Sequence, residues 1–322
     1  MTEMQEAQAR EQQTEAAPSA APTAGPGRVA LWVLAAAAVL SLGGVVYSLY
    51  ALTGMADGLD DTGVMLLANS LFSPIIVTAF AGAVAGVIAP RLFRKGPQRA
   101  LAALGFTVVG LVAAAVAYAS FSVDSSIALV LALVLLGSAI IGGLFSLPRR
   151  GVTVVAGLSA TLLLLAFMFS RGLFEAASSV SLFSDPLDEY GALGTAIPFT
   201  AGLACGICAF IYLRGRRAGV KLLGHLLAGA FPGGIWLVST VIAQIGVEVL
   251  LGVGLDEVSP LDSAFLALSF QWQYNGSMTA MFAGALCAVL AYGLLMPKTP
   301  KPAPRAATPA PKAAQPKERK TY

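Results

Sequence analysis

The chain has 322 residues, of which 57% are hydrophobic and 11% are charged, and its formal net charge is +3. A soluble domain carries about 25% charged residues, so most of the surface of this chain is expected to face lipid. The single histidine argues against a His-based metal or catalytic centre, and the three cysteines, all in apolar segments, encode no external disulfide framework. We therefore expect neither a cofactor nor enzymatic activity.

The chain begins and ends with polar, low-complexity segments. Residues 1–28 are rich in Gln, Glu, Ala and Pro, and residues 297–322 are rich in Pro, Ala and Lys. Neither segment has an apolar face to bury, so both are predicted to be disordered and neither forms a soluble catalytic domain. The C-terminal segment also lacks the interleaved aromatic residues that are typical of single-stranded nucleic-acid binding.

Eight apolar runs lie between these tails, each close to the ~20 residues that cross a hydrocarbon core of ~30 Å. They occupy residues 29–53, 65–89, 100–120, 126–147, 152–170, 194–213, 222–247 and 277–296. Lipid offers no partner to free backbone groups, so each run is predicted to be a helix, and none alternates like a strand of a membrane barrel. The predicted fold is an all-α polytopic membrane protein with eight transmembrane helices.

The basic residues predict the orientation of these helices. When the N-terminus is placed in the cytoplasm, nineteen of the twenty Lys and Arg fall on the cytoplasmic side, and only Arg171 falls outside. Twelve of the seventeen acidic residues fall outside. Both termini are therefore predicted to be cytoplasmic, with the basic loops and tail against anionic phospholipid headgroups. The Ala- and Gly-rich composition favours a bacterial plasma membrane.

Two predicted external loops are longer than a simple connection needs. Residues 171–193 place apolar side chains at helical spacing from Leu173 to Phe183, which predicts a helix on the membrane surface. Residues 248–276 contain the segment LALSFQWQY, which fits either a short strand or an interfacial segment anchored by Trp272 and Tyr274. Glu248 and these two aromatic residues form a candidate outer-face contact.

Pairs of small residues recur at four-residue spacing within the runs. This spacing places both residues on one helix face, so that neighbouring backbones can approach closely. The pattern is found at dimer seams and sliding interfaces and, more often, in ordinary packing inside a bundle. The candidate seam residues are Gly82, Gly86, Gly202, Gly206, Gly229 and Gly233.

A weak internal similarity links the even-numbered runs. They share small motifs such as Thr78-Ala79 and Thr279-Ala280, and the segments before the sixth and eighth runs share Pro-Leu-Asp. A parallel repeat of four plus four helices would produce such a similarity between the runs, and parallel repeats occur in transporters. Chance similarity explains it equally well, because Ala, Gly and Thr are common throughout the chain.

The seventh run contains the segment Phe231-Pro232-Gly233-Gly234 near its middle. Proline removes a backbone hydrogen bond and two glycines permit unwinding. Broken helices at membrane depth often mark transporter sites, although a simple kink is the commoner outcome. The residues of this candidate central site are Pro232, Gly233, Gly234, Thr200, Ser239, Thr240 and Gln244.

The remaining reactive residues are assigned structural roles. His225 lies about one turn inside the seventh run and no helix on that side offers it an acidic partner, so it is predicted to be interfacial. Cys205 and Cys208 have Cys-x-x-Cys spacing but lie within an apolar helix, which predicts buried, unreactive thiols. No charged residue falls at the midplane of any run, which counts against ion- or proton-coupled transport.

Two functions remain open from the sequence. A helix broken at Pro232 favours a permease-like protein, a transport or translocation subunit for a neutral or amphipathic solute. The missing midplane charges favour a non-catalytic partner or assembly factor of the cell-envelope machinery, which would bind other membrane proteins. The permease-like function is our leading hypothesis. A cavity that reaches Pro232 would support it, and a solid bundle would favour the partner role.

Overall fold

The computed structural model describes residues 27–55, 61–93, 96–121, 124–147, 151–177, 195–255 and 257–295. These residues form nine α-helices and no strand. In chain order the helices are α1 (Arg28–Met55), α2 (Asp61–Ser70), α3 (Phe72–Leu92), α4 (Gln98–Ser120), α5 (Ser125–Leu144), α6 (Gly151–Ala177), α7 (Ala196–Gly215), α8 (Leu222–Gly254) and α9 (Pro260–Leu295).

All of these helices except the ten-residue α2 are long and apolar enough to cross a membrane. The prediction of an all-α architecture with eight candidate spans is confirmed. The outward faces of the helices are apolar, since Leu294 is 81% exposed, Val29 77% and Leu40 75%. Such a surface is stable in lipid, whereas in water a large exposed apolar patch leads to association. The chain is an integral, multi-pass membrane protein.

The helix α3 occupies the middle of the bundle. Its residues from Pro74 to Val84 are all buried, and it packs against α1, α4, α5, α6 and α8. Small residues allow this close packing, because a Cβ added to Gly82 would lie 2.8 Å from the Cα of Ala139 in α5. The backbones of α3 and α5 therefore meet directly, and such contact favours helix association in a membrane through van der Waals packing.

The helices α7, α8 and α9 form a second closely packed group. The glycine contacts between them show that α9 runs parallel to α7 and antiparallel to α8. Because α8 has 33 residues and α9 has 36, a rise of 1.5 Å per residue makes them about 50 and 54 Å long. Both lengths exceed a hydrocarbon core of ~30 Å, so these helices must tilt or project beyond it.

The basic segments meet at one end of the bundle, which we call the basic end. There Arg214 of α7 donates a hydrogen bond to the Leu295 carbonyl at the end of α9 (3.3 Å). The Arg91 side chain, at the end of α3, lies beside Gly151, the first residue of α6. The helix α5 begins at the opposite, acidic end, where the Asp124 side chain caps it. That the basic end faces the cytoplasm remains a prediction.

Several predicted boundaries are wrong. The second run, 65–89, is divided at Leu71 into α2 and α3. Residues 248–254 complete α8 and residues 260–276 form the first half of α9, so the strand alternative for the segment LALSFQWQY is wrong. The reason is physical: a lone strand would leave its backbone groups without partners, whereas a helix satisfies them internally.

Other predicted segments lie partly or wholly outside the described residues. Residues 171–177 continue α6 instead of starting a separate surface helix, and residues 178–193 lie outside the described structure. The same holds for residues 1–26 and 296–322, which include nearly all of both predicted tails. The repeat of four plus four helices stays a prediction.

Candidate functional site

The helix α8 passes through Pro232 without interruption, since it is helical from Leu222 to Gly254. The predicted break at this proline is therefore wrong. Pro232 and Gly233 are buried, and Gly233 faces the backbone of Met281 in α9 so closely that no Cβ would fit. Where a cavity was expected, the missing side chain of Gly233 allows α9 to approach α8.

The polar residues of the candidate central site point in different directions. Thr200 is exposed on α7, and its hydroxyl donates to two carbonyls of its own helix, 2.9 and 3.1 Å away. Ser239 and Thr240 are fully buried in α8. Thr240 donates to the carbonyl four residues earlier (3.0 Å), whereas the Ser239 hydroxyl has no partner among the described residues. The structure does not bring Thr200 together with these two residues.

Gln244 connects two residues of the candidate outer-face contact. Its Nε2 donates to Oε1 of Glu248 (3.1 Å), and its Oε1 accepts a hydrogen bond from the Tyr274 hydroxyl (2.8 Å). Glu248 is exposed, whereas Gln244, Tyr274 and Trp272 are half-buried. The network joins α8 to α9 on the side of the acidic end, so a structural role accounts for it.

The candidate seam glycines lie at helix crossings inside the bundle. A Cβ on Gly202 would lie 2.6 Å from the carbonyl oxygen of Ala280, and one on Gly206 would lie 2.5 Å from that of Gly284. The other four are equally crowded, by backbone at Gly82, Gly229 and Gly233 and by the Ser146 side chain at Gly86. Packing within the chain therefore accounts for all six glycines.

A cavity of about 500 Å³, the basic-end cavity, lies where α3 ends and where α4 and α6 begin. Its lining includes Arg91, Arg99, Gln98 and Ser146, and none of the described residues that line it is acidic. Arg91 is half-buried and Arg99 is exposed. The cavity therefore combines two positive charges with neutral polar groups.

The Arg91 guanidinium is held in place by its own helix and by Gly151. Its Nη1 donates to the Val87 carbonyl (2.7 Å). A Cβ on Gly151 would lie 2.8 Å from Nη2, so the absence of a side chain there makes room for the guanidinium. The helix α4 begins beside it at Gln98, and no side chain caps this N-terminus. Free N–H groups at a helix N-terminus carry partial positive charge, which adds to that of the arginines.

A second cavity of about 390 Å³, the acidic-end groove, lies between α1, α6 and the start of α3. Four serines contribute to its lining, together with apolar residues such as Val45 and Phe169. The serines are Ser41, Ser48, Ser70 and Ser73. A surface that mixes hydroxyl groups and apolar side chains suits an amphipathic solute.

Both cavities are lined by α3, and residues 75–85 of that helix separate them. At 1.5 Å per residue this barrier is about 16 Å long, roughly half of a hydrocarbon core. Thr78 lies within the barrier, fully buried, and its hydroxyl has no hydrogen-bond partner among the described residues. An unpaired buried hydroxyl costs free energy. Packing against the neighbouring helices therefore does not explain why a polar residue occupies position 78.

Neither cavity was predicted from the sequence, because each is lined in part by α6, which is distant in the chain from α1 and α3. The sequence feature that could have indicated the basic-end cavity was the pair Arg91 and Arg99, which we assigned only to contact with lipid headgroups. Gly151, which completes the surroundings of Arg91, lies sixty residues later. Thr78 carried a weaker signal, since a lone threonine in a membrane helix normally bonds to its own backbone.

His225 is buried, with 1% of its surface exposed, and it packs against Phe210 and Tyr292 with ring centroids 5.7 and 4.7 Å away. α7 and α9 cover this face of α8, so neighbouring helices enclose His225 in the first turn of α8, and its position near the membrane interface stays a prediction. Cys205 is buried, as predicted, and its Sγ donates to the Ala160 carbonyl (3.3 Å). Within the described part of the chain, no cluster of His, Cys, Asp and Glu is arranged to hold a metal ion.

The geometry places the strongest candidate site in the two cavities at the ends of α3, and not at Pro232. Neither cavity includes Pro232 in its lining. Comparison with known proteins adds no family to this result. The chain matches no protein-family model, no curated protein and no solved structure.

Proposed function

We propose that the chain is a permease-like membrane protein that moves an amphipathic solute along α3, between the acidic-end groove and the basic-end cavity. The observation that carries this proposal is the position of two cavities at opposite ends of one buried helix. Transporters commonly hold their solute in the middle of the bundle and expose it to each side in turn. Here a barrier of about 16 Å would have to rearrange.

The position of α1 supports entry of the solute from the lipid. Only 17% of the most apolar part of α1 is buried, and the helix contacts the bundle mainly through α3. The groove that α1 shares with α3 and α6 therefore lies beside a peripheral helix. A solute whose apolar part is dissolved in the bilayer can reach the serines of the groove without first entering water.

The residue composition of the barrier is evidence for solute movement that is not coupled to protons or ions. Residues 75–85 of α3 include no ionisable side chain, and Thr78 is the polar side chain among them. Coupled transporters generally place an ionisable group in the membrane near the path of the solute. We therefore propose facilitated movement, with the Thr78 hydroxyl as a transient hydrogen-bonding partner of the solute.

Cysteine accessibility tests this route. In a variant whose three native cysteines are replaced by alanine, Thr78→Cys should react with a small, membrane-impermeant thiosulfonate, because opening of the barrier exposes the position. Ala156→Cys in α6 is the matched control, since Ala156 is also fully buried but lines neither cavity. It should react far more slowly. Ser73→Cys, at an exposed position of the groove, reports that the reagent reaches the protein.

A Thr78→Cys variant that stays unreactive from both sides of the membrane, while Ser73→Cys reacts, would contradict a route along α3. That result would favour the alternative, a non-catalytic partner or assembly factor. One observation supports this alternative, namely that α8 and α9 pack solidly at Gly233, where the transport hypothesis expected a cavity. Such a protein should be recovered with other membrane proteins after crosslinking in intact membranes.

A further inference from the structure

We infer that the basic-end cavity binds a phosphoryl anion, meaning a phosphate ester or free phosphate, through Arg91 and Arg99. The inference rests on the proposed function and deepens it by naming the chemical group that the cavity accepts. It concerns one defined site inside the folded helices, which is distinct from the diffuse attraction of basic loops to a membrane surface.

The charge of the cavity is the first argument. Arg91 and Arg99 both line it, no acidic residue of the described chain does, and no described carboxylate pairs with either arginine. Two cationic groups that share a partly buried space repel each other, and an anion between them relieves the repulsion. Arginine presents a planar fork of N–H donors that matches the oxygens of phosphate.

The second argument is that the donors are already in position. The Arg91 guanidinium uses Nη1 to hold the Val87 carbonyl (2.7 Å), which orients the rest of the group beside Gly151. Gln98 and Gly151, the first residues of α4 and α6, both line the cavity. The N-termini of α4 and α6 contribute partial positive charge, as in many phosphate sites. The C-terminus of α3 also borders the cavity and carries partial negative charge, so the two guanidinium groups supply the net attraction for an anion.

The size of the cavity fits such a ligand. Its volume of about 500 Å³ lies within the range of about 300–1,000 Å³ that is usual for small-molecule sites. Gln98 offers a further N–H donor for ester or glycerol oxygens. The Ser146 hydroxyl already donates to the Gly143 carbonyl (2.6 Å) and can accept a hydrogen bond from a glycerol hydroxyl. A lipid headgroup and a soluble phosphate share this chemistry, so the experiment has one arm for each source.

Equilibrium binding to the purified full-length chain tests the inference. In the lipid arm, native mass spectrometry counts phosphatidylglycerol retained after delipidation, with diacylglycerol, which has no phosphate, as the comparison. In the soluble arm, calorimetry measures binding of inorganic phosphate. The double variant Arg91→Gln with Arg99→Gln removes the charge-assisted hydrogen bonds of both guanidinium groups and should weaken the binding by about a hundredfold. The control, Arg28→Gln with Arg214→Gln, removes the same charge outside the cavity lining and should change the binding little.

Two milder variants separate positioning from folding. Gly151→Ala adds a Cβ only 2.8 Å from Nη2 of Arg91, so the flexible side chain has to move while the net charge stays the same. Arg91→Lys keeps the charge and loses the planar fork. Both variants should bind the anion more weakly than the wild type while showing the same circular dichroism spectrum.

Retention of phosphatidylglycerol without binding of phosphate identifies a headgroup site, and saturable binding of phosphate identifies a soluble ligand. Either result supports the inference if it depends on the cavity arginines. Equal loss in the cavity and control variants, or equal retention of diacylglycerol, overturns it. Labelling of Thr78→Cys is measured in parallel. If Thr78→Cys is labelled but no binding depends on the arginines, the anion site is refuted and the proposed route stands. If binding depends on the arginines but Thr78→Cys is not labelled, the proposed route is refuted and the anion site stands.

Discussion

Adding one methyl group at Gly202 tests whether direct backbone contact holds α7 against α9. A Cβ there would lie 2.6 Å from the carbonyl oxygen of Ala280 and 3.0 Å from the Cβ of Ala283. Ordinary contact begins near 3.4 Å, so the two helices would have to separate by about 0.8 Å. The nearest atom belongs to the backbone, and no change of rotamer can relieve the clash.

The expected magnitude follows from a comparison with Gly137. That residue lies inside α5 and has no heavy atom within 4 Å of an added Cβ. Alanine is favoured over glycine inside a helix by about 0.5–1 kcal/mol, and this term is common to both substitutions. The difference in unfolding free energy between Gly202→Ala and Gly137→Ala therefore measures only the overpacking at Gly202, which is expected to cost about 1–3 kcal/mol.

Unfolding by sodium dodecyl sulfate in mixed micelles, followed by circular dichroism, measures this difference. Gly202→Ala should unfold at a lower detergent fraction than the wild type, and Gly137→Ala at the same or a higher fraction. Equal unfolding free energies for the two variants would refute the reasoning, because they would show that α9 can move away from α7 without loss of stabilising contacts.

Three further predictions concern single contacts and the orientation of the chain. The Asp124 side chain accepts hydrogen bonds from two N–H groups in the first turn of α5 (2.8 and 3.2 Å). Asp124→Ala should therefore destabilise the protein by about 1 kcal/mol in the same unfolding assay, and Asp124→Asn should not. Tyr274→Phe removes the hydrogen bond to Gln244 and should cost about 1 kcal/mol; an unchanged unfolding free energy would show that α8 and α9 do not depend on it. In intact cells an impermeant maleimide should label Asp60→Cys but not Lys95→Cys, and the reverse pattern would invert the predicted orientation.

The number and identity of the membrane helices followed from composition. A run of about 20 apolar residues has one stable conformation in lipid, because only a helix satisfies all of its backbone groups from within the run. This argument needs no knowledge of neighbouring segments. It is therefore correct for all eight candidate spans, and the structure confirms them.

The ends of the helices were harder to predict. Residues 248–276 were predicted to form an external loop, yet residues 260–276 belong to α9. This helix is paired with the long α8, and the hydrogen bond between Tyr274 and Gln244 joins the two. Hydropathy indicates where lipid is tolerated, but it does not indicate how far a helix continues when another helix supports it.

The candidate site shows the same division between local and distant information. Pro232 and the glycines beside it were visible in the sequence, but whether they open a site depends on what packs against them, and the backbone at Met281 fills that space. The basic-end cavity needs Arg91, Arg99 and Gly151 from three helices. The sequence alone determined which segments are helical in lipid, and it predicted that nearly all basic residues share one side. Only the tertiary structure decided which faces close and which leave a cavity, because close packing depends on the shapes of side chains from distant helices.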